Sequence, residues 1–316
     1  MDEPDFRTLR IGFFGLGLMG GSLALALRPH CAEIHACDAD AHTRALAEGM
    51  VNSVCAHPAD LLPRIDLLIL AAPVRTNLRL LADLPRLWDA PLMVLDIGST
   101  KRLVVEAMQS MPARFDPLGG HPMCGKEVSG LAHADPAMFR DAPFAFTPLE
   151  RTSPRLRSLA QSLAERIGAH PLWLDAATHD RWVAATSHLP YLVATALKEA
   201  TPAEAAPLIG PGFRSTTRLA ASNPVMMGDI LHTNREPILQ ALARFRAQLD
   251  AIEAALVNEE CRMQTTDDGQ RTTDDGRQTT DDGRRTTDDR RRTTDNGQRT
   301  TPPHTAPRTS HVTRDT

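Results

Sequence analysis

The sequence predicts an α/β domain built on a parallel sheet, followed by an all-α domain and a disordered C-terminal tail. Three observations carry that expectation. Short apolar runs alternate with amphipathic stretches over residues 8–150, the pattern of repeated strand–helix units. From about residue 153 the runs give way to long stretches of Ala, Leu and other helix formers. From Thr265 the chain repeats a seven-residue unit, TTDDGQR and variants, that contains no apolar residue. The domains are therefore expected at 1–152 and 153–262, with the tail at 263–316.

The bulk numbers suit two soluble domains and exclude several classes. A chain of 316 residues can bury a large core. Net charge is −4 and pI about 6.3, which gives no electrostatic footprint for nucleic acid or an acidic membrane. The strongest apolar run, LLILAAPV at 67–74, is too short to span a bilayer. The N-terminal MDEPDFRTLR has neither a signal-peptide core nor the acid-poor character of a transit peptide. The five cysteines are odd in number and form no CxxC pair, as expected for reduced thiols in a cytoplasm.

Strands are predicted at LRIGFFG (9–15), EIHACD (33–38), DLLILAAP (66–73), LMVLDIG (92–98), FDPLGG (115–120) and APFAFTP (142–148). Helices fit between them, at 18–28 and 76–87 for example. The first strand runs directly into GLGLMGGSLALAL, where Gly15, Gly17 and Gly20 satisfy G-x-G-x-x-G. The first glycine permits the tight turn, the second lets backbone approach a pyrophosphate, and the third lets helix pack on strand. The helix then aims its first amides, at Leu18 and Met19, toward that phosphate. Asp38 ends the second strand, 18 residues beyond Gly20, where a carboxylate accepts the ribose hydroxyls and repels a 2′-phosphate. A Rossmann-type domain binding NAD in preference to NADP is the expectation, with Asp40 an equal candidate for the ribose. Ala72 and Pro73 close the third strong strand, at the edge where the cofactor crevice of such sheets opens.

A second cluster follows. DIGSTK (96–101) places Ser99 and Lys101 at the end of another strand. GGHPMCGKEVSG (119–130) holds His121 between two glycines and a proline, which argues against a central strand and for a stiff irregular loop. Ser99 and His121, at adjacent strand ends, are in reach of a hydrogen bond that fixes the imidazole tautomer; alternatively Ser99 caps the next helix. No G-x-S-x-G elbow supports a hydrolase, and no further His or Cys stands at zinc-ligand spacing, so no metal is expected.

In the second half, Ser153 and Pro154 mark a helix start, SPRLRSLAQSLAERIG. A short run, HPLWL, precedes long helical segments at 175–200 and 224–258. These are apolar enough to need a partner, so a homodimer through the helical domain is expected. The heptapeptide repeat lacks the a/d seam of a coiled coil and the far glutamate of a calcium loop. Ten Arg and ten Asp over 263–316 balance one another, as in a solvated disordered tail.

Taken together, GLGLMGGSLA, DIGSTK, GGHPMCGKEVSG, TSHLPYLVATAL and GFRSTTRLAASNPVMMGDIL, in this order, resemble the prephenate/arogenate dehydrogenase family over residues 9 to about 258. The resemblance implies NAD-dependent oxidative decarboxylation of prephenate to 4-hydroxyphenylpyruvate in tyrosine biosynthesis, or of arogenate to tyrosine. It implies His121 as the proton acceptor oriented by Ser99, and Arg218 as the fork that grips a substrate carboxylate. It places His188 in the substrate pocket and gives Glu127 a gating role opposite an arginine of the helical domain. Many members carry a second histidine where this chain has Tyr191, beside the substrate side chain, and an aspartate where it has Ser215. Lys126 receives no role. A β-hydroxyacid dehydrogenase shares the GLGxMG start, but Lys198, the lone lysine of the helical half, lies outside that family's motif. A nucleotide-sensing protein with a dead site is opposed by the presence of Ser99, His121 and Arg218. Removal of residues 261–316 is expected to leave turnover unchanged in a purified-enzyme assay; an inactive truncation would show that the repeat does more than solvate the terminus.

Overall fold

The computed structural model describes residues 5–257; the expected repeat tail lies outside them. Eight strands form one sheet in the order β3-β2-β1-β4-β5-β6-β7-β8. They are β1 (Arg10–Phe14), β2 (Glu33–Cys37), β3 (Ser53–Cys55), β4 (Leu67–Leu70), β5 (Leu92–Asp96), β6 (Phe115–Pro122), β7 (Pro143–Pro148) and β8 (His170–Trp173). Strands β1 to β6 pair in parallel, β7 runs antiparallel to β6, and β8 lies parallel to β7. The order 3-2-1-4-5-6 is that of a doubly wound dinucleotide-binding sheet, whose order reverses between β1 and β4. Helices α1 (Leu18–Leu27), α2 (Ala41–Ala47), α3 (Pro58–Leu61), α4 (Val74–Leu87) and α5 (Arg102–Gln109) provide the crossovers. Strands buried on both faces explain the continuous apolar runs: all four residues of β4 are fully buried.

The three-residue β3 was missed because SVC is too short and too mixed to carry a period. A larger correction concerns the boundary at 152. Helix α6 (Pro154–Arg166) starts at Ser153 and Pro154 as expected, but it belongs to the sheet domain. Its Leu156, Leu159, Ala160, Leu163 and Ala164 pack into the same core as Ile11, Phe13 and Leu118. The backbone N–H of Ser153 donates to Asp116 on β6 at 2.9 Å, and the run after α6 becomes β8, paired with β7. The helical domain therefore begins near Ala176. A helix start reads the same from sequence whichever domain receives its apolar face, which is why the periodicity could not place α6.

His121 is the second correction. It lies within strand β6, paired with Ala145 of β7, not on an irregular loop. Strand β6 outlasts β5, whose pairing stops at Asp96 opposite Gly119. Met123 donates to Pro143, so the alternation of an antiparallel ladder turns the Pro122 nitrogen away from β7, toward the side where β5 has ended. A proline costs no ladder bond there. The glycines serve close approach: a Cβ on Gly120 would stand 2.9 Å from the Asp96 carbonyl, and one on Gly119 2.3 Å from Thr147 Oγ1.

The helical domain comprises α7 (Ala176–Val183), α8 (Leu189–Ala200), α9 (Pro211–Thr217), α10 (Pro224–Thr233) and α11 (Arg235–Val257). One π-turn, Ala184–His188, joins α7 to α8. Pro190, in the first turn of α8, has no N–H to donate, and the wider turn accommodates that gap. No helix among the described residues is long and apolar enough to cross a membrane. If α6 belongs to the sheet core, Leu163→Ala will remove about 2–5 kcal/mol of unfolding free energy in urea denaturation; a loss below about 1 kcal/mol would place the helix outside it.

Candidate active site

The glycine loop has the shape its motif requires. Gly15 adopts φ +94°, and a Cβ there would lie 2.9 Å from the Ala72 nitrogen, so the turn rests against the end of β4. A Cβ on Gly20 would meet the Gly15 carbonyl at 2.3 Å, which fixes α1 tightly on the strand. Gly17 differs: nothing lies within 4 Å of its missing Cβ. It is the N-cap of α1, has no side-chain cap, and leaves the first-turn amides of Leu18 and Met19 facing that open space. A pyrophosphate fits such a place.

Asp38 and Asp40 separate clearly in the structure. Asp40 is spent on α2, accepting from the Thr43 N–H at 2.8 Å and the Thr43 hydroxyl at 2.7 Å, bonds that pull its carboxyl below the usual range. Asp38 turns the other way and accepts the Leu16 N–H of the glycine loop at 2.8 Å. Of the two carboxylates, Asp38 is the one that faces the glycine loop. Ala72 and Pro73 sit where β4 opens, with the Ala72 N–H held by Asn77 Oδ1 at 3.2 Å.

Around His121 the structure brings together residues far apart in sequence. His121 Nδ1 lies 2.9 Å from His179 Nε2, and His179 Nδ1 lies 2.8 Å from Asp180 Oδ1. The Asp180 carboxylate also accepts the backbone N–H groups of Lys101 (2.7 Å) and Arg102 (2.8 Å), so it caps α5 from another domain. Asn234 Nδ2 donates to the Asp180 carbonyl at 2.8 Å and to His188 Nδ1 at 3.1 Å. Lys101, fully buried, pairs through Nζ with Asp96, whose other oxygen accepts from Asn77 at 2.9 Å. Both expectations for Ser99 fail: it bonds neither His121, whose Nδ1 belongs to His179, nor α5, which Asp180 caps. Lys101 likewise points into the protein and not into the crevice.

All three imidazoles are held neutral. Burial pushes His121 well below its usual range, with His179, Lys101 and His188 adding to the effect. Burial lowers His179 in spite of its bond to Asp180, and lowers His188 to about 4. His121 Nε2 has no hydrogen-bond partner among the described residues, and the residue is half-buried. It is a neutral imidazole with one ring nitrogen unpartnered among the described residues.

Glu127 and Arg218 form an ion pair across the domains, with the arginine side chain 58% exposed and the glutamate 34%. Lys126 binds Asp135 at 2.9 Å, and the Asp135 N–H binds Ser22 of α1 at 2.8 Å, so this lysine fastens the loop after β6 to the first helix. Tyr191 lies three residues after His188 in the first turn of α8 and is half-buried. Among the described residues no group of three or more His, Cys, Asp or Glu is arranged to hold a metal ion. A separate cavity of about 660 Å³ opens at the opposite, N-terminal edge of the sheet. Three of its charged groups are already engaged, Arg114 by the Trp88 and Pro85 carbonyls, Asp66 by Arg10 and Asp116 by Ser153.

Sequence alone singles out none of Asp180, Asn77 and Asn234, and offers His179 only as a weaker companion to His188 at the substrate pocket. One signal was available: in α7 the inward positions are His179, Asp180 and Val183, so a His-Asp pair stands where the helical period calls for apolar residues.

Residues 23–172 match the family model for the prephenate dehydrogenase nucleotide-binding domain, and residues 175–264 match that for the prephenate dehydrogenase dimerization domain. Prephenate dehydrogenase of Bacillus subtilis is 32% identical over 259 residues, covering 78% of this chain and 70% of the relative. The chain belongs to the prephenate dehydrogenase family. Among solved structures, prephenate dehydrogenase from A. aeolicus in complex with hydroxyphenyl propionate and NAD+ superposes with a TM-score of 0.74 at 28% identity, covering 80% of this chain and 92% of that one. Synechocystis arogenate dehydrogenase gives 0.68 at 29% identity, covering 80% and 94%. The family match divides the chain between residues 172 and 175, in agreement with β8 closing the sheet domain.

Buried neutral histidines tie stability to pH. Unfolded, they protonate near 6.5; folded, they resist until lower pH, about 4 for His188. The unfolded state therefore binds more protons between those values, and stability falls as pH drops from about 6.5 toward 4. For His188 alone the loss is on the order of 3 kcal/mol. Urea midpoints across that window are expected to fall less steeply in His188→Gln than in the wild type; equal slopes would refute the assignment.

Proposed function

We propose that this protein oxidatively decarboxylates prephenate to 4-hydroxyphenylpyruvate with NAD, in the cytoplasm, as a homodimer through its helical domain. The observation that carries the reading is His121: a neutral imidazole with a free Nε2 at the C-terminal edge of a dinucleotide-binding sheet. Bound NAD supplies the acceptor for the hydride that leaves ring carbon C4. The open face at Gly17 and the first amides of α1 suit its pyrophosphate, and Asp38 suits an unphosphorylated adenosine ribose.

His121 Nε2 takes the proton of the C4 hydroxyl and returns it to the phenolic oxygen once the ring carboxylate has departed as CO2. A base in this role contributes about 10²–10⁴-fold to rate. Arg218 offers a planar fork for a substrate carboxylate. Without substrate that fork is held by Glu127, so a bound carboxylate exchanges partners with the glutamate. Tyr191, half-buried in the first turn of α8, is the candidate for contact with the substrate side chain; His188, one helical turn before it, is 1% exposed and bonded to Asn234. Homodimerisation is supported by α11, which leaves Leu239, Leu249, Ile252 and Leu256 about half exposed or more.

Purified protein with NAD should produce NADH faster from prephenate than from arogenate. Faster turnover of arogenate would move the assignment to the amino-acid substrate, and no turnover of either would end it. His121→Asn should lose about 10²-fold or more in kcat while keeping its affinity for NAD; a near-normal kcat would remove His121 from the mechanism.

A further inference from the structure

We propose that His179 and Asp180 form a relay that fixes the proton of His121 on Nδ1 and supports the imidazolium formed when Nε2 takes the substrate proton. The inference rests on His121 being the base of the proposed reaction. The direction of each hydrogen bond follows from donor and acceptor inventory. Both oxygens of Asp180 already receive backbone N–H groups at the start of α5, so toward His179 it acts as the acceptor. His179 must then carry its proton on Nδ1, 2.8 Å from Asp180 Oδ1. A neutral imidazole protonated at Nδ1 presents a bare lone pair at Nε2. That lone pair lies 2.9 Å from His121 Nδ1, which must be the donor. The only tautomer of neutral His121 left by this chain of bonds has its lone pair on Nε2, the atom without a hydrogen-bond partner among the described residues.

The relay works in both protonation states. When Nε2 gains a proton, Nδ1–H still points at the His179 lone pair, and the new charge is backed through that ring by the Asp180 carboxylate. His179 and Asp180 are each 1% exposed, so water does not compete for these bonds. The other groups that face His121 are Lys101, ahead of α5 and paired with Asp96 of β5, and His188 of the π-turn. Lys101 and His188 oppose protonation of His121, which leaves Asp180 as the carboxylate bonded toward it. His179 and Asp180 are positioning residues, since neither touches the reacting atoms.

Asp180 also caps α5, so the test is made at His179. In the full-length protein, imidazole ¹⁵N NMR near neutral pH should show both His121 and His179 as Nδ1–H tautomers. His179→Phe should lower kcat on the order of 10–100-fold with little change in either KM. It should also move the acid limb of the kcat profile to lower pH, because an imidazolium at His121 loses its acceptor. His179→Gln, whose amide oxygen can take the same bond, should recover part of the rate. An Nε2–H tautomer at His121 in the wild type would overturn the relay even if His179→Phe failed to fold. So would a His179→Phe enzyme with kcat within about twofold of wild type and an unmoved limb, provided His121→Asn is inactive. Full activity in His121→Asn would instead remove the base assignment, and the relay with it.

Discussion

Asp180 reaches from α7 onto the N-terminus of α5, and the rest of the site is arranged around that carboxylate. It accepts two backbone N–H groups of α5 and the Nδ1–H of His179, while its own carbonyl accepts from Asn234 at the junction of α10 and α11. One residue thus joins the crossover after β5, the helical domain and the imidazole next to the base. An anion at a helix N-terminus is favoured by the helix dipole, and several N–H donors offset the cost of burying its charge. Nearby, the Thr100 and Thr233 hydroxyls meet at 2.9 Å, a second buried bond between the same two domains. The two domains are therefore bonded to each other beside His121.

The sheet side of the site depends on backbone that comes closer than a side chain permits. Gly119 and Gly120 let β6 pass Thr147 and the end of β5, which carries His121 beyond the last residue of its parallel neighbour. Gly15 does the same for the phosphate loop against Ala72. Both sets of glycines bring a functional group to the C-terminal edge of the sheet, one a row of amides and the other an imidazole. Asn77 braces the edge between them, bonding the Leu70 carbonyl, the Ala72 N–H and Asp96 together.

Local signals in the sequence identified the parts of the site that depend on local geometry. The phosphate loop, Asp38 and the strand ends were legible because their residue types are dictated by backbone shape and chemistry within a few positions. Family resemblance added the pairing of Glu127 with an arginine of the helical domain, which the structure places at Arg218. What was not legible involves partners from separate elements. Ser99 stood near His121 in the expected sheet, whereas the actual partner lies 58 residues further on, in a helix whose placement required the domain packing. The same limit hid the allegiance of α6, whose apolar stripe announces a helix but not its domain. The Gly and Pro beside His121 argue for a loop because they weaken a strand; they are tolerated because β6 there has a neighbour on one side only.

The charge balance of the buried cluster explains how a base can work where burial opposes protonation. Asp96 and Lys101 cancel, and Asp180 leaves the cluster at −1 while the three histidines are neutral. A proton arriving on His121 brings the cluster to zero and so does not create an uncompensated cation in a low-dielectric interior. Desolvation keeps the imidazole unprotonated, and the Asp180 carboxylate stands two hydrogen bonds away. A carboxylate placed directly against His121 would favour the imidazolium more strongly. Placing it one neutral ring further back keeps the resting state neutral while still supporting the protonated one. The interposed His179 is therefore a matter of electrostatic distance as much as of hydrogen bonding, and a bare serine partner at the same position would provide only the orientation.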